Sequence, residues 1–275
     1  MPKLTAQTNS ILALGRRLRV ARWNFGGSAP SKRPLLVFGG IGLNLELLEP
    51  VAAALGNRPV VSFDMPGVGQ SPDPVVPYTA ATMALTAQAV LDRLGIDMVD
   101  LLGISWGGGI AQQFALQHRN RVGRLVLAAT SAGMGMTPGD PRMLARLTDP
   151  AEYTVPKALQ RNLAMLYAGG GDTAVSLNAV TPPSPTGFLY QLGAMAGWSS
   201  VAMLPLLEMP TLVLAGDDDQ VVPPANAQFL HSLIPGSRLK MFAGGGHLFM
   251  LSHMAEFTTA LDAFLDADDA PAAGD

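Results

Sequence analysis

The 275-residue sequence contains no cysteine. This absence excludes disulfide bonds, thiolate metal sites and a cysteine nucleophile. Charged residues are also scarce, at 14% of the chain against roughly 25% in an average soluble domain. Hydrophobic residues supply 48%, which is enough for one large core and some apolar surface. The length predicts one large domain, or one domain that carries a substantial insertion.

Long hydrophobic runs are missing too. No uninterrupted apolar stretch approaches the roughly 20 residues that a membrane-spanning helix needs, so we expect no membrane span. The N-terminal segment MPKLTAQTNSILALGRRLRV has a short apolar stretch that precedes its arginine pair. A secretory signal has the opposite order and a longer apolar region, so we expect a cytoplasmic protein. The acidic C-terminal residues DADDAPAAGD are expected to form a frayed tail.

The sequence also lacks the signatures of nucleic-acid, nucleotide and metal binding. Its net charge is −3 with histidine neutral, so charge gives no basis for binding nucleic acid. No stretch matches the glycine pattern that holds a phosphate before a helix. In FDMPGVGQS we instead expect Asp64, Gly67 and Gly69 to brace a turn. Histidines and carboxylates do not cluster at metal-ligand spacing, so we expect no cofactor and no metal.

Short apolar runs rich in Val and Leu alternate with segments of helical periodicity. Runs of this kind are typical of strands that are buried on both faces. They lie at residues 34–40, 58–64, 98–104, 123–130, 210–216 and 237–244. Helices are predicted at residues 79–95, 109–120 and 252–267. The alternation predicts an α/β fold, with a mostly parallel central sheet and helices on both faces.

The alternation stops between residues 134 and 206, where the chain is rich in Met, Pro and Gly. No charged residue or histidine occurs from Thr173 to Leu207. Because this segment lies between two predicted strands, we interpret 134–206 as an inserted, mainly helical cap over the carboxyl edge of the sheet. Residues 1–133 and 207–275 would then form the core.

A single serine stands among glycines in the stretch LLGISWGGG. Gly103 and Gly107 flank Ser105 in a Gly-x-Ser-x-Gly motif, directly after a predicted strand and before a predicted helix. This context is typical of a nucleophile elbow, a sharp strained turn where bulk at either glycine would collide with the adjoining strand or helix. The helix N-terminus also favours a developing anion. We therefore predict that Ser105 is a nucleophile.

A serine nucleophile needs a base, and the base needs an acid that orients it. In proteins whose serine lies on a nucleophile elbow, the three residues occur along the chain in the order Ser, then Asp or Glu, then His. His247 follows the strand predicted at 237–244 and is the expected base. Of the adjacent Asp217, Asp218 and Asp219, the last is preferred because Gly-x-x-Asp before a short apolar step and proline is similar to a hydrolase acid loop. Asp218 is the alternative. The other histidines are expected in packing or at the surface: His118, His231 and His253.

Two backbone N–H groups are candidates for an oxyanion hole. One belongs to Trp106, just after the predicted nucleophile, and the other to Ile41 in the loop GGIG that follows the first predicted strand. The alternative is that this loop is an ordinary glycine-rich turn.

Three aromatic residues stand in the charge-free part of the cap: Phe188, Tyr190 and Trp198. Either they pack the cap onto the core, or they form an acyl pocket or docking surface, since exposed apolar patches usually mark binding sites. A charge-free lid over a serine site would favour aliphatic esters over charged substrates.

Several segments resemble one family, the intracellular poly(3-hydroxyalkanoate) depolymerases of the medium-chain-length type, in the α/β-hydrolase superfamily. They are LLVFGGIGLNLELLEP, VVSFDMPGVGQS, LLGISWGGGIAQQFA, RLVLAATSAG, TGFLYQLGAMAGWSS, PTLVLAGDDDQVVP and GGGHLF. The resemblance covers roughly residues 34–260. The elbow, acid loop and His loop occur across α/β-hydrolases, whereas the first segment, GISWGGGIAQQFA and the cap segment ending in GWSS are more specific to these depolymerases.

The resemblance implies an α/β-hydrolase fold and hydrolysis of the ester bonds of a storage polyester inside the cell, at the granule surface. It also implies a triad of Ser105, Asp219 and His247. The first half of the cap, about 140–186, matches the family poorly, so the resemblance does not specify the length of the preferred side chain. The sequence does not specify an oligomeric state.

Three other functions use the same residues or the same fold. The first is a hydrolase of small esters, lactones or carbon–carbon bonds. The second is a non-catalytic granule-binding protein. The third is acyl transfer to an alcohol or thiol, which differs only in the acceptor that enters the site.

Overall fold

A computed structural model of the chain describes residues 6–26, 32–166 and 180–267. Its strands are β1 (Gln7–Ala13), β2 (Arg16–Trp23), β3 (Leu35–Phe38), β4 (Val60–Phe63), β5 (Val99–Ile104), β6 (Val122–Ala128), β7 (Thr211–Gly216) and β8 (Arg238–Phe242). They form one sheet in the order β1-β2-β4-β3-β5-β6-β7-β8. Most of the acidic tail, from residue 268 onward, lies outside the described residues.

The six strands predicted from apolar runs are all present, as β3 to β8. Every pairing among them is parallel, so the prediction of a mostly parallel sheet is confirmed. Strands β3, β5, β6 and β7 are buried along almost their whole length. This explains why continuous Val and Leu runs identify them.

The sequence pattern does not predict β1 and β2. They form an antiparallel hairpin, and β2 pairs with β4 at one side of the sheet. Since β1 is mostly exposed, it lacks the apolar run that marks the central strands. Leu14 and Gly15 make the turn with φ of 47° and 76°, and positive φ at both central residues is what a tight hairpin turn requires.

Helices connect the strands and form the inserted segment. They are α1 (Glu49–Ala54), α2 (Ala80–Leu94), α3 (Trp106–Gln117), α4 (Pro141–Thr148), α5 (Pro150–Thr154), α6 (Pro156–Leu166), α7 (Pro185–Met195), α8 (Pro224–Leu233), α9 (Phe249–Ser252) and α10 (Met254–Leu265). Helix α2 is capped at its N-terminus by Thr79, whose side chain accepts from the Thr82 N–H, and at its C-terminus by Gly95 with φ of 67°. Within the described ranges, no helix is both long and apolar enough to cross a membrane.

The core lies on both faces of the sheet, because side chains alternate along each strand. On β3, Leu36 and Phe38 pack in a cluster with α2 and α3, whereas Leu35 and Val37 pack in a second cluster with α1 and α10. The predicted placement of helices on both faces is therefore confirmed.

Between β6 and β7 the chain forms α4 to α7, so the inserted segment is mainly helical, as predicted. Helices α5 and α7 meet through Tyr153 and Phe188, two buried rings that stack with centroids 4.6 Å apart. The start of α7 lies against the turn after β4, where the Ser184 N–H donates to the Gly67 carbonyl over 2.8 Å. Residues 167–179 of the predicted cap lie outside the described residues.

Candidate active site

Ser105 stands at the carboxyl end of β5, in the middle of the sheet, with φ of 53° and ψ of −121°. A positive φ is rare for a residue with a side chain and is found mostly at strained functional turns. The surrounding backbone fixes this conformation. The Ser105 N–H donates to the Ala128 carbonyl over 2.8 Å, and the Ser105 carbonyl accepts from the Thr130 hydroxyl over 2.7 Å. The serine hydroxyl therefore projects from a fixed turn at the carboxyl ends of the central strands.

The glycines of the motif are required by close packing. A Cβ at Gly107 would overlap the backbone carbonyl of Phe38 on β3. A Cβ at Gly103 would lie 2.6 Å from both the Ala111 Cβ and the Gly108 Cα of helix α3. Helix α3 can therefore approach β3 and β5 only because both positions lack side chains.

The predicted base and acid meet at the serine, although they lie far apart along the chain. The Nε2 of His247 lies 2.8 Å from the Ser105 Oγ, and its Nδ1 lies 2.8 Å from the Asp219 Oδ2. The Asp219 Oδ1 accepts from the N–H groups of Val221 and Val222 over 2.8 and 2.9 Å. The arrangement fits an imidazole that donates from Nδ1 to the carboxylate and accepts the serine proton at Nε2.

Asp219 is only 2% exposed, whereas Asp217 and Asp218 are exposed. The structure thus places Asp219 beside the imidazole and leaves Asp218, the alternative acid, at the surface. Two contacts tie the acid loop to the histidine loop: the Asp218 N–H donates to Gly245, and the Gly244 N–H donates to the Asp217 carboxylate over 2.7 Å. No sequence pattern indicates that Asp217 joins the two loops.

The glycine loop after β3 lies beside Ser105. A Cβ built on Gly40 would lie 3.5 Å from the Ser105 Cβ. Among the described residues, neither the Ile41 N–H nor the Trp106 N–H donates to a protein acceptor. Trp106 is the first residue of α3, so its N–H has no acceptor within the helix and points outward from the positive N-terminal end. These two groups could hold an oxyanion formed at Ser105.

Asp64 braces the loop that carries Ile41, as expected from the sequence. Its carboxylate accepts from the N–H groups of Leu45 and Gln70 over 2.9 and 3.0 Å, and it pairs with Arg19 over 3.3 Å. Burial raises the pKa of Asp64, against the lowering effect of these hydrogen bonds and of the Arg19 charge. A Cβ on Gly69 would overlap the carboxylate, which explains the glycine there.

A mainly apolar pocket of about 410 Å³ opens beside Ser105. Methionines from two segments line it, Met134 and Met136 from the loop after β6 and Met195 from α7. The other lining residues are Trp106, Thr130, Ser131, Gly133, Gly135, Ala196, Gly197 and Val222. These methionines could not be identified from the sequence, because no local pattern shows that the two segments meet.

The three cap aromatics lie elsewhere. Phe188 is fully buried against Tyr153, so it is not available to a substrate. Tyr190 meets Tyr78 edge to face at 6.5 Å, and the Trp198 indole donates to the Gln113 side chain over 2.8 Å. Of the two alternatives left by the sequence, this arrangement agrees with packing of the cap onto the core.

Two further observations concern other possible sites in the described part of the chain. No group of three His, Asp or Glu residues there could hold a metal ion. A larger cavity, of about 710 Å³, lies at the opposite edge of the sheet, near Val122, Thr211 and Arg238 at the beginnings of β6, β7 and β8. Its lining does not include Ser105, Asp219 or His247.

Comparisons with known proteins agree with the fold described above. The family model for the α/β hydrolase fold matches residues 33–253. A poly(3-hydroxyalkanoate) depolymerase from Ectopseudomonas oleovorans is 38% identical over 245 residues, which cover 87% of this chain and 86% of that protein.

Solved structures of other proteins have the same fold. A hydrolase from Pseudomonas aeruginosa PA01 superposes with a TM-score of 0.80 at 25% identity, covering 95% of this chain and 99% of that one. An esterase from Exiguobacterium antarcticum gives a TM-score of 0.81 at 25% identity, covering 95% of this chain and 100% of that one. The chain therefore belongs to the α/β-hydrolase family, as a hydrolase whose relatives include a poly(3-hydroxyalkanoate) depolymerase.

Proposed function

We propose that this protein is a serine esterase that hydrolyses the ester bonds of a poly(3-hydroxyalkanoate) through an acyl-enzyme on Ser105. The observation that carries the proposal is the hydrogen-bonded chain from the Ser105 hydroxyl through His247 to the buried Asp219. The relationship to a depolymerase of this polymer supports the choice of substrate.

In the first half of the reaction, the Ser105 Oγ attacks the ester carbonyl carbon while the His247 Nε2 takes the hydroxyl proton. The carbonyl π electrons move to oxygen, and the N–H groups of Ile41 and Trp106 hold the resulting oxyanion. Asp219 keeps the imidazole in the correct tautomer and stabilises the imidazolium. Collapse of the intermediate breaks the bond to the alkoxy oxygen, which leaves as an alcohol with the proton from His247.

In the second half, water attacks the acyl carbon and gives its proton to His247. The second tetrahedral intermediate collapses, the Ser105 oxygen takes the proton back, and a 3-hydroxy acid or a shortened chain end leaves. Each proton taken by the imidazole is returned, so the enzyme is unchanged after one turnover.

The pocket beside Ser105 supports a substrate with aliphatic side chains. Methionine side chains are unbranched and flexible, so Met134, Met136 and Met195 can adapt to alkyl groups of different length. Met195 belongs to α7, so residues 134–206 act in this proposal as a cap that contributes part of the acyl pocket. A polymer substrate also implies action at the surface of a storage granule in the cytoplasm.

A hydrolase of small soluble esters is the second candidate, favoured by the likeness to the esterase from Exiguobacterium antarcticum. The two candidates differ in their relative rates on polymer and on soluble ester.

The test measures release of 3-hydroxyalkanoic acids from an amorphous polymer latex, beside hydrolysis of short-chain p-nitrophenyl esters. We expect release from the latex by the wild type and none by Ser105→Ala. Hydrolysis of the soluble esters without release from the latex would favour the second candidate, and equal rates with Ser105→Ala would contradict both.

A further inference from the structure

Gln191, on helix α7, contacts both segments that carry the proposed oxyanion donors. It is 0% exposed. Its side-chain Oε1 accepts from the Gly42 N–H over 2.9 Å, and its backbone carbonyl accepts from the Trp106 indole N–H over 2.9 Å. One residue of the cap therefore holds the loop after β3 and the first residue of α3 at the same time.

The orientation of the Gln191 amide follows from its partner. Gly42 offers an N–H, which must meet the carbonyl oxygen and not the NH₂ group. The Nε2 has no partner among the described residues although it is buried. The only side-chain hydrogen bond that Gln191 makes there is thus the one to the residue that follows Ile41.

We propose that Gln191 is a positioning residue, which sets the Ile41 N–H for the oxyanion through its side-chain bond to the next residue, Gly42, while its backbone carbonyl holds the Trp106 indole. The inference rests on the proposed function, because it concerns the same oxyanion. The loop GGIG needs such a support, since Gly42 has φ of 67° and glycines leave a backbone free to rotate. Small displacements of such donors cost much of the rate, because the intermediate is held only in one geometry.

Other contacts hold α7 in place, so the effect of Gln191 can be separated from folding. A Cβ on Gly187 would overlap the backbone of Gly67, which shows how closely α7 approaches the turn after β4. The Phe188 ring stacks on Tyr153. Removal of the Gln191 amide leaves these contacts, and its backbone bond to Trp106, intact.

The experiment compares Gln191→Leu with Asn162→Leu. Asn162 is a matched control, because it is another buried cap amide with one bonded and one unpartnered atom, and its Nδ2 bonds only to Glu152 within the cap. Kinetics on a soluble p-nitrophenyl ester are combined with inhibition by an aliphatic trifluoromethyl ketone. The Ser105 Oγ adds to the ketone carbon, His247 takes the proton, and the carbonyl electrons become an alkoxide that needs the oxyanion donors.

For Gln191→Leu we expect kcat to fall and the inhibition constant of the ketone to rise, each by about 10- to 100-fold, while KM stays near the wild-type value. Asn162→Leu should change Tm but neither kcat nor ketone binding. Gln191→Met, which fills the same volume without the amide oxygen, should behave like Gln191→Leu. Wild-type kcat and ketone binding in both Gln191 variants, or loss of folding in both, would overturn the proposal. A wild type without Ser105-dependent ester hydrolysis would instead contradict the proposed function itself.

Discussion

At the scale of single residues, burial decides which of three consecutive carboxylates can serve the imidazole. Asp219 lies on the inner side of its loop, where two backbone N–H groups and His247 use both of its oxygens. Asp217 and Asp218 point outward, and Asp217 ties the loop to Gly244. The motif around Ser105 could be predicted because glycines 103 and 107 are steric requirements of the turn. The choice of acid depended on a loop pattern alone, since adjacent carboxylates have the same chemistry until the loop is folded.

Replacement of Asp219 by asparagine should lower kcat by about 10³- to 10⁴-fold, because the amide favours the wrong imidazole tautomer and carries no charge to stabilise the imidazolium. Asp218→Asn is the matched control in the same loop. It should retain nearly full activity, since Asp218 contacts Gln220 at the surface. Initial rates on a p-nitrophenyl ester measure both variants, and similar losses in the two would contradict the assignment of the acid.

At the scale of elements, the strands and main helices follow from periodicity, whereas contacts between elements do not. The buried strands β3 to β8 are marked by apolar runs, but the exposed hairpin of β1 and β2 has no such signal. The cap aromatics illustrate the same limit. Composition suggests either packing or substrate binding, and only the folded chain shows that Phe188 stacks on Tyr153, while methionines from two separate segments line the pocket.

Two glycines of α7 should respond to alanine in opposite ways. A Cβ on Gly193 meets nothing within 4 Å, so Gly193→Ala should raise the free energy of unfolding by about 0.5–1 kcal/mol through better helix propensity. A Cβ on Gly187 would overlap the Gly67 backbone, so Gly187→Ala should lower it by about 1–3 kcal/mol. Urea denaturation measures both, and equal shifts would mean that α7 does not approach Gly67 as described.

At the scale of the whole molecule, chain topology explains how distant residues meet. Ser105, Asp219 and His247 each follow a parallel strand, and the carboxyl ends of parallel strands share one edge of the sheet. The meeting of these three residues could be predicted once their order along the chain, Ser, Asp, His, was recognised. The two hydrogen bonds from Gln191 in the cap could not be predicted, because they join residues that are 149 and 85 positions apart in the sequence, at no regular spacing.

The pH dependence of stability should include a contribution from His118. Burial, with the nearby Arg121 charge, lowers the pKa of His118. As the pH falls below about 6.5, the unfolded chain therefore binds a proton that the folded chain resists, and the free energy of unfolding decreases. The His118 Nε2 has no partner in the described part of the chain, so His118→Gln loses no hydrogen bond there. Between about pH 7 and pH 5 its Tm should fall less than that of the wild type, and parallel curves would contradict the pKa shift.

The central claim is that Ser105 is a nucleophile activated by His247. Labelling with a fluorophosphonate followed by peptide mapping tests it most directly, because the reagent forms a stable bond to the attacking oxygen and releases fluoride. We predict one label, on Ser105, lost in Ser105→Ala and strongly slowed in His247→Gln. A wild type that stays unlabelled, or a label on another residue that persists in Ser105→Ala, would contradict the account.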